Sequence, residues 1–195
     1  MGKRQIAALE TRRRIIAAAE KLIREKGFEN VGVSDITDEA GVAKGSFYTY
    51  FRRKEDIVCE ITQNKFVSVE ERAKIQGDVC GQISSFLTES MKYIVDTGLN
   101  ICQQWVRNVA EPEDEPGKDK LAYDTGVIRA AFASAVERGE LISGTPVDEL
   151  ADTVAAEYYG AVFVWAITDG KTDPLKTLET YGKTALPAML DKYRA

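Results

Sequence analysis

Along the first quarter of the chain, apolar residues recur at helical spacing in three bursts separated by glycines. Ile15, Ala18, Ala19, Leu22 and Ile23 fall at i, i+3, i+4, i+7 and i+8, the signature of an amphipathic helix, and Gly27 ends it. Ile36 and Ala40 lie one turn apart on the inward face of a second, short helix. Gly41 closes that helix, because glycine readily takes the left-handed backbone such a stop requires, and Val42 adds an apolar contact across the turn. In the third burst Phe47, Tyr50 and Phe51 stand at i, i+3 and i+4, so that Phe47 and Phe51 plug a core while Lys44, Gly45, Ser46, Tyr48 and Thr49 face outward.

From Glu55 onward the pattern predicts helices over about 54–75, 78–96, 98–110, 119–138, 148–169 and 174–192, and no strand pattern competes. Gly77, Gly98, the Pro-rich loop 111–117, the turn 139–146 and the stretch 169–174 supply the breaks. Residues 154–167 are apolar nearly all round apart from Glu157. The run is too short to span a bilayer and too apolar for a one-sided surface helix, so it needs cover on several sides. The last helix places Leu175, Leu178, Gly182, Ala185, Leu186 and Met189 at helical spacing, with Pro187 expected to kink its end. The fold class is all-α. Ala155, Gly160, Ala161 and Gly182 are small enough to let the last two helices approach another backbone closely, whether of a second copy or of the same core.

The outward face of the third burst is cationic and rich in hydroxyls. It suits a major groove, where a helix N-terminus offers amides to phosphate and Lys, Ser, Thr and Tyr bond phosphate or base edges, and where Gly45 permits close approach. Lys3, Arg4, Arg12, Arg13 and Arg14 form a basic flank at the start of the first helix. The net charge of -5 hides a split: residues 1–55 sum to +4 and the remainder to -9, which orients the N-terminal end toward a polyanion.

Taken together, residues from about Thr11 to Ile57 resemble the DNA-binding domain of the TetR family of transcriptional regulators. The matching residues include Ala18-Ala19, Leu22, Gly27-Phe28, Val33, Asp35-Ile36, Ala40-Gly41-Val42, Lys44 to Tyr48, Tyr50-Phe51, Lys54-Glu55 and Ile57. Val31-Gly32, Thr37 and Ala43 depart from the pattern; Gly32 can still serve as an N-cap, whereas Ala43 lacks the hydroxyl that often touches the DNA backbone. The resemblance implies a three-helix helix-turn-helix DNA-binding domain (1–54) followed by a larger helical ligand-binding and dimerisation domain (55–195). It implies a homodimer through the last two helices (148–169 and 174–192), with recognition helices about 34–36 Å or more apart on a double-stranded operator. It also implies a repressor released by a small-molecule effector. Lys44, Tyr48, Tyr50 and Lys54 are assigned mainly to phosphate, and Gly45, Ser46 and Thr49 to bases. Lys44 can do either; Tyr50 can instead be partly buried beside Phe47, and Lys54 can be a solvated residue opening the next helix.

For the effector, Trp105 and Tyr159 are the favoured lining residues among the central aromatics, since each joins apolar area to a donor. Glu157 is a third candidate, because a carboxylate inside an apolar run must find a partner. Asn100, Gln103, Gln104, Arg107 and Asn108 can orient a ligand or simply face water. Cys59, Cys80 and Cys102 form no C-x-x-C pair, which indicates neither zinc nor a disulfide framework and fits a reducing cytoplasm with small-residue packing, a redox-sensing role being the lesser alternative. The chain has no histidine and no G-x-S-x-G, Walker or G-x-G-x-x-G motif, so neither an enzyme nor a cofactor is expected. The competing reading is an all-helical interaction module that docks protein without binding specific DNA.

Overall fold

The computed structural model describes residues 2–63, 77–109 and 115–195. Among them are ten α-helices: α1 (Lys3–Lys26), α2 (Val33–Glu39), α3 (Lys44–Tyr50), α4 (Glu55–Gln63), α5 (Val79–Thr97), α6 (Leu99–Val109), α7 (Glu115–Glu137), α8 (Val147–Ile167), α9 (Pro174–Lys183) and α10 (Ala185–Leu190). Two 3-10 turns, Phe28–Asn30 and Asp191–Tyr193, complete them, and the described residues hold no strand beyond an isolated bridge between Leu141 and Arg194. The expected helix over 54–75 and the loop over 111–117 lie partly outside the described residues.

Two apolar cores organise these helices. The first is closed by Ile15, Ala19 and Ile23 of α1, Ile36 of α2, and Phe47 and Phe51 at α3. It does not stop at residue 54: Ile57, Val58 and Ile61 of α4 and Ile101 of α6 are buried in it. The second gathers α5, α7, α8, α9 and α10 around residues such as Leu87, Phe132, Val154, Tyr158 and Leu186. Trp105 of α6 packs against both. Helix α6 touches α1 and α4 as well as α8, so the two cores meet through it, and α4 also touches α7.

Two helix boundaries differ from the sequence expectation. Helix α7 begins at Glu115, with Pro116 in its first turn, where a missing N–H is tolerated because that donor has no intrahelical partner anyway. The expected single helix over 174–192 is broken at Thr184 (φ -123°, ψ -70°) into α9 and α10. Pro187 cannot donate to Lys183 and its ring crowds that carbonyl, so the break falls one turn before the proline instead of at the helix end.

The small residues of the last helices also sort differently from the dimer expectation. Ala155 and Ala161 are buried within the protomer, and a Cβ at Gly182 would stand 2.4 Å from Ser84 Oγ, so Gly182 serves the α9–α5 packing of its own chain. Of the four, Gly160 alone faces outward, beside Phe163, Val164 and Ile167, which are 50%, 42% and 60% exposed. No helix among the described residues is long and apolar enough to cross a membrane.

Candidate nucleic-acid interface and ligand site

The turn between α2 and α3 is held by backbone geometry. Gly41 adopts φ +64°, and the Val42 amide reaches back to the Thr37 carbonyl at 3.0 Å. At the other end of α2 the Gly32 amide donates to Asp35 Oδ2 at 2.7 Å, so the side chain of the third helical residue supplies the cap that a glycine cannot. Thr37 is buried, and its hydroxyl donates to Val33 O (3.1 Å) and Ser34 O (3.0 Å), which satisfies it inside the core.

Helix α3 is anchored by Phe47 and Phe51, both buried, with ring centres 5.3 Å apart. On the opposite side Lys44, Gly45, Tyr48 and Thr49 are exposed, Ser46 is half-buried, and Tyr48 projects with 55% of its surface free. A Cβ added at Gly45 would meet no heavy atom within 4 Å, so nothing inside the chain requires glycine there. Ala43 caps α3 without any side-chain bond.

Other predicted contacts turn inward. Tyr50 is half-buried against the first core. The Lys54 ammonium donates to Phe28 O (2.7 Å) and Val31 O (2.9 Å) and sits 3.8 Å from the centre of the Phe28 ring; it ties α4 to the 3-10 turn and is not a solvated residue. Arg12 pairs with Glu60 at 2.5 Å and lies over the Phe51 ring, so this member of the basic flank braces α1 against α4. Arg13 pairs loosely with Glu10 at 3.7 Å; Arg4 and Arg14 are exposed, and the Lys3 side chain lies outside the described residues. Sequence reasoning misses Arg52, an exposed cation immediately after α3 that the Phe51-Arg52-Arg53 run could have flagged.

The polar residues of α6 are staples. Asn100 Nδ2 donates to Arg24 O (3.2 Å), Gln103 Nε2 to Ala166 O (2.9 Å) and Asp169 Oδ1 (3.0 Å), and Gln104 Nε2 to Asn108 Oδ1 (2.8 Å). Arg107 pairs with Glu29 at 3.5 Å. In return, Arg24 Nε donates to Thr97 O at 3.2 Å, and its Nη2 meets Asp96 O. The two Arg24 contacts join α1 to the end of α5, Asn100 and Arg107 tie α6 to α1 and the first 3-10 turn, and Gln103 ties α6 to the end of α8.

Beside this junction Trp105 and Tyr159 come together, with ring centres 5.9 Å apart and planes 18° from parallel. They separate a small inner cavity of about 20 Å³, bounded by Ile94, Cys102, Lys120 and Tyr158, from an outer cleft of about 760 Å³ between α6, α7 and α8. The Tyr159 hydroxyl donates to Asp124 Oδ2 at 2.7 Å, and that oxygen also holds the Lys120 ammonium; Lys120 and Asp124 are both buried. Desolvation lowers the Lys120 pKa, while Asp124 beside it pulls the other way. Burial and the Asp124 charge raise that of Tyr159 well above its ordinary value, so it stays a donor.

Glu157, the third candidate, is exposed on the outer side of α8 and lines neither space. The apolar run around it is amphipathic in the folded chain: Val154, Tyr158, Ala161 and Trp165 point to the core, and the opposite face carries Glu157 into solvent. Lys120 and Asp124 are missed by sequence reasoning, yet a signal exists. Stepping back by fours from Phe132 through Ile128 leads to Asp124 and Lys120, which therefore share the buried stripe of α7. Cys59, Cys80 and Cys102 are buried, and desolvation pushes the Cys102 thiol up to about 12, away from thiolate chemistry at neutral pH.

The family described as bacterial regulatory proteins, tetR family, matches residues 15–61, which span α1 to α4. The HTH-type transcriptional repressor NemR of Escherichia coli K12 is 35% identical over 137 residues, covering 67% of this chain and 69% of NemR. The probable HTH-type transcriptional regulator ArpR of Pseudomonas putida is 25% identical over 191 residues, covering 92% and 91% of the two chains. In fold, the chain is similar to the transcriptional regulator FadR of Bacillus subtilis, crystallised with stearoyl-CoA, at a TM-score of 0.70 and 22% identity over 91% of this chain and 96% of that one.

Proposed function

The chain belongs to the tetR family of bacterial regulatory proteins, and from that premise we propose that it is a homodimeric repressor that leaves its operator when a small molecule binds beside Trp105 and Tyr159. Residues 1–54 are the DNA-reading unit and 55–195 the effector and dimer unit. The observation that carries the proposal is the outward face of α3: Lys44, Gly45, Ser46, Tyr48 and Thr49 stand on a rigid aromatic plug, with no fold-internal reason for the glycine. Lys44, Tyr48 and Arg52 serve phosphates, while Gly45, Ser46 and Thr49 approach base edges. Tyr50 and Lys54 act from behind, by fixing α3 and α4.

The dimer is formed by the outer face of α8 around Gly160, Phe163, Val164 and Ile167, together with α9. Three large apolar side chains exposed on consecutive turns of one helix are what a self-complementary bundle covers.

Fluorescence anisotropy of the purified protein with labelled DNA from upstream of its own gene, at several salt concentrations, tests the reading. Tight, salt-dependent binding is expected, lost in a Lys44→Ala/Tyr48→Ala variant that still folds. Binding no tighter than to random DNA, with no fragment recovered in a genome-wide selection, would leave an all-helical interaction module instead.

A further inference from the structure

A threonine inside a helix commonly donates its hydroxyl to a carbonyl one turn back. Thr37, Thr62, Thr88, Thr97 and Thr153 each reach the oxygen four residues before them in this way. Thr125, in the middle of α7, does not: it is 7% exposed, and its hydroxyl makes no hydrogen bond among the described residues. A polar group buried to that degree without a partner costs free energy, so the fold alone gives no reason for it. The hydroxyl is also reachable. Among the described residues, the side-chain atoms sealed away without a partner are Gln104 Oε1, Tyr158 Oη and Tyr181 Oη; Thr125 Oγ1 is not one of them, and the space beside Thr125 is the outer cleft.

The lining of that cleft is graded. On α7 it is flanked by Leu121, Ala122 and Thr125, and on α8 by Ala155, Ala156 and Tyr159, positions about one turn apart that share a face of each helix. None of these six carries a charge, and the Tyr159 hydroxyl is already engaged with Asp124. The charged lining residues, Lys118, Arg129 and Asp152, are exposed at the rim, and Arg129 is held by Asp148 at 2.5 Å. The volume, about 760 Å³, is that of a small-molecule site.

The geometry points to an effector that is uncharged and largely apolar, with a neutral hydroxyl or carbonyl that hydrogen-bonds Thr125 Oγ1 inside the outer cleft. This rests on the reading of the chain as an effector-released repressor and names the chemical class of that effector. A hydroxyl both donates and accepts, so Thr125 serves an alcohol as well as a ketone. It does not replace the hydration of a full charge: a carboxylate or ammonium seated against Thr125 and Ala155 would give up its water for a single neutral partner.

The test uses the full-length protein and its Thr125→Val variant, which keeps the side-chain shape and removes the hydroxyl. Because that hydroxyl serves no bond in the fold, the variant is expected to melt at or above the wild-type temperature. Isothermal calorimetry then compares four compounds on each of two bodies, naphthyl and biphenyl: a primary alcohol, a methyl ketone, a carboxylate and a primary ammonium. On at least one body the alcohol or ketone is expected to bind about tenfold more tightly than both charged compounds, and the variant is expected to bind that neutral compound about fivefold more weakly. A charged compound binding as well as the neutral ones, neutral binding unchanged in the variant, or a variant that melts below the wild type overturns the proposal. So does the absence of binding by every compound at millimolar concentration, the result that a second copy seated over the cleft would give. Anisotropy of labelled operator DNA, followed in parallel, separates the two readings. Neutral-selective binding without DNA release overturns the effector reading and leaves the ligand class standing; release by the charged compounds, equal in the variant, does the reverse.

Discussion

The guanidinium of Arg24, on the last turn of α1, holds the carbonyl of Thr97 at the C-terminal end of α5, with Nε to O at 3.2 Å. A helix end leaves its last carbonyls without intrahelical partners and carries partial negative charge, so an arginine from another helix is a fitting cap. The contact links the helix that carries the DNA-reading core to one that walls the inner cavity, where Thr97 also lies. Arg24→Met, which keeps the apolar stem, is expected to cost about 1 kcal/mol, since the group is half-exposed. Hydrogen exchange at Gly98 and Ile101 is expected to speed up while α2 and α3 keep their protection. Unchanged exchange at those two amides would show the clamp to be idle.

Gly45 separates stability from function. Space is open for a Cβ and the residue sits inside a helix, so Gly45→Ala is expected to stabilise the protein by about 0.5–1 kcal/mol in urea unfolding. The same methyl stands where DNA must come close, and operator affinity is expected to fall about tenfold or more. A variant that is both more stable and equally tight would remove close approach as the reason for the glycine.

Lys54 is expected to behave as a structural residue. With two carbonyls at 2.7 and 2.9 Å and an aromatic face beneath it, Lys54→Met is expected to lower stability by about 1–2 kcal/mol. The slope of log affinity against log salt is expected to stay unchanged. A slope shallower by about one would return Lys54 to the phosphate contacts.

Alkaline pH is expected to destabilise the fold through Cys102 and Tyr93. Burial raises the first from 9.0 to about 12 and the second from 10.0 to about 12. Both are neutral when folded and ionise earlier when unfolded. Their contribution is thus complete below about pH 9 and is lost as pH rises toward 12, at about 1.4 kcal/mol per group for each pH unit in the window. Thermal melts are expected to decline first between pH 9 and 10, where the buried thiols Cys102 and Cys80 act before any tyrosine, and Cys102→Ala is expected to make that decline shallower. Equal slopes for the two proteins would assign the alkaline loss elsewhere.

The helix-turn-helix was legible because its determinants are local. Gly27, Gly41 and the spacing of Phe47 and Phe51 specify helix ends and faces without reference to anything distant. The cavity beside Trp105 and Tyr159 was half legible. Trp105 and Tyr159 stand out by residue type, but Lys120, which also lines the inner cavity, is ordinary for a helix surface, and its burial follows from α7 packing on α8. Glu157 shows the opposite failure: an apolar window suggests enclosure, although the helix leaves one side open to solvent in the single chain. Lys54 and Arg12 illustrate a third limit, since a cation near a DNA-reading helix and a cation bracing that helix look alike until their partners are placed.

Ile101 is fully enclosed by the N-terminal core although it belongs to α6, nearly fifty residues beyond the helix-turn-helix. Anyone building chimaeric sensors by grafting this reading head onto another regulator would expose the floor of its core by cutting after residue 54, and would need to carry α4 and re-create an isoleucine-sized plug on the acceptor. The exchangeable module is therefore a discontinuous one, and operator preference can be transplanted between relatives only where that plug already fits.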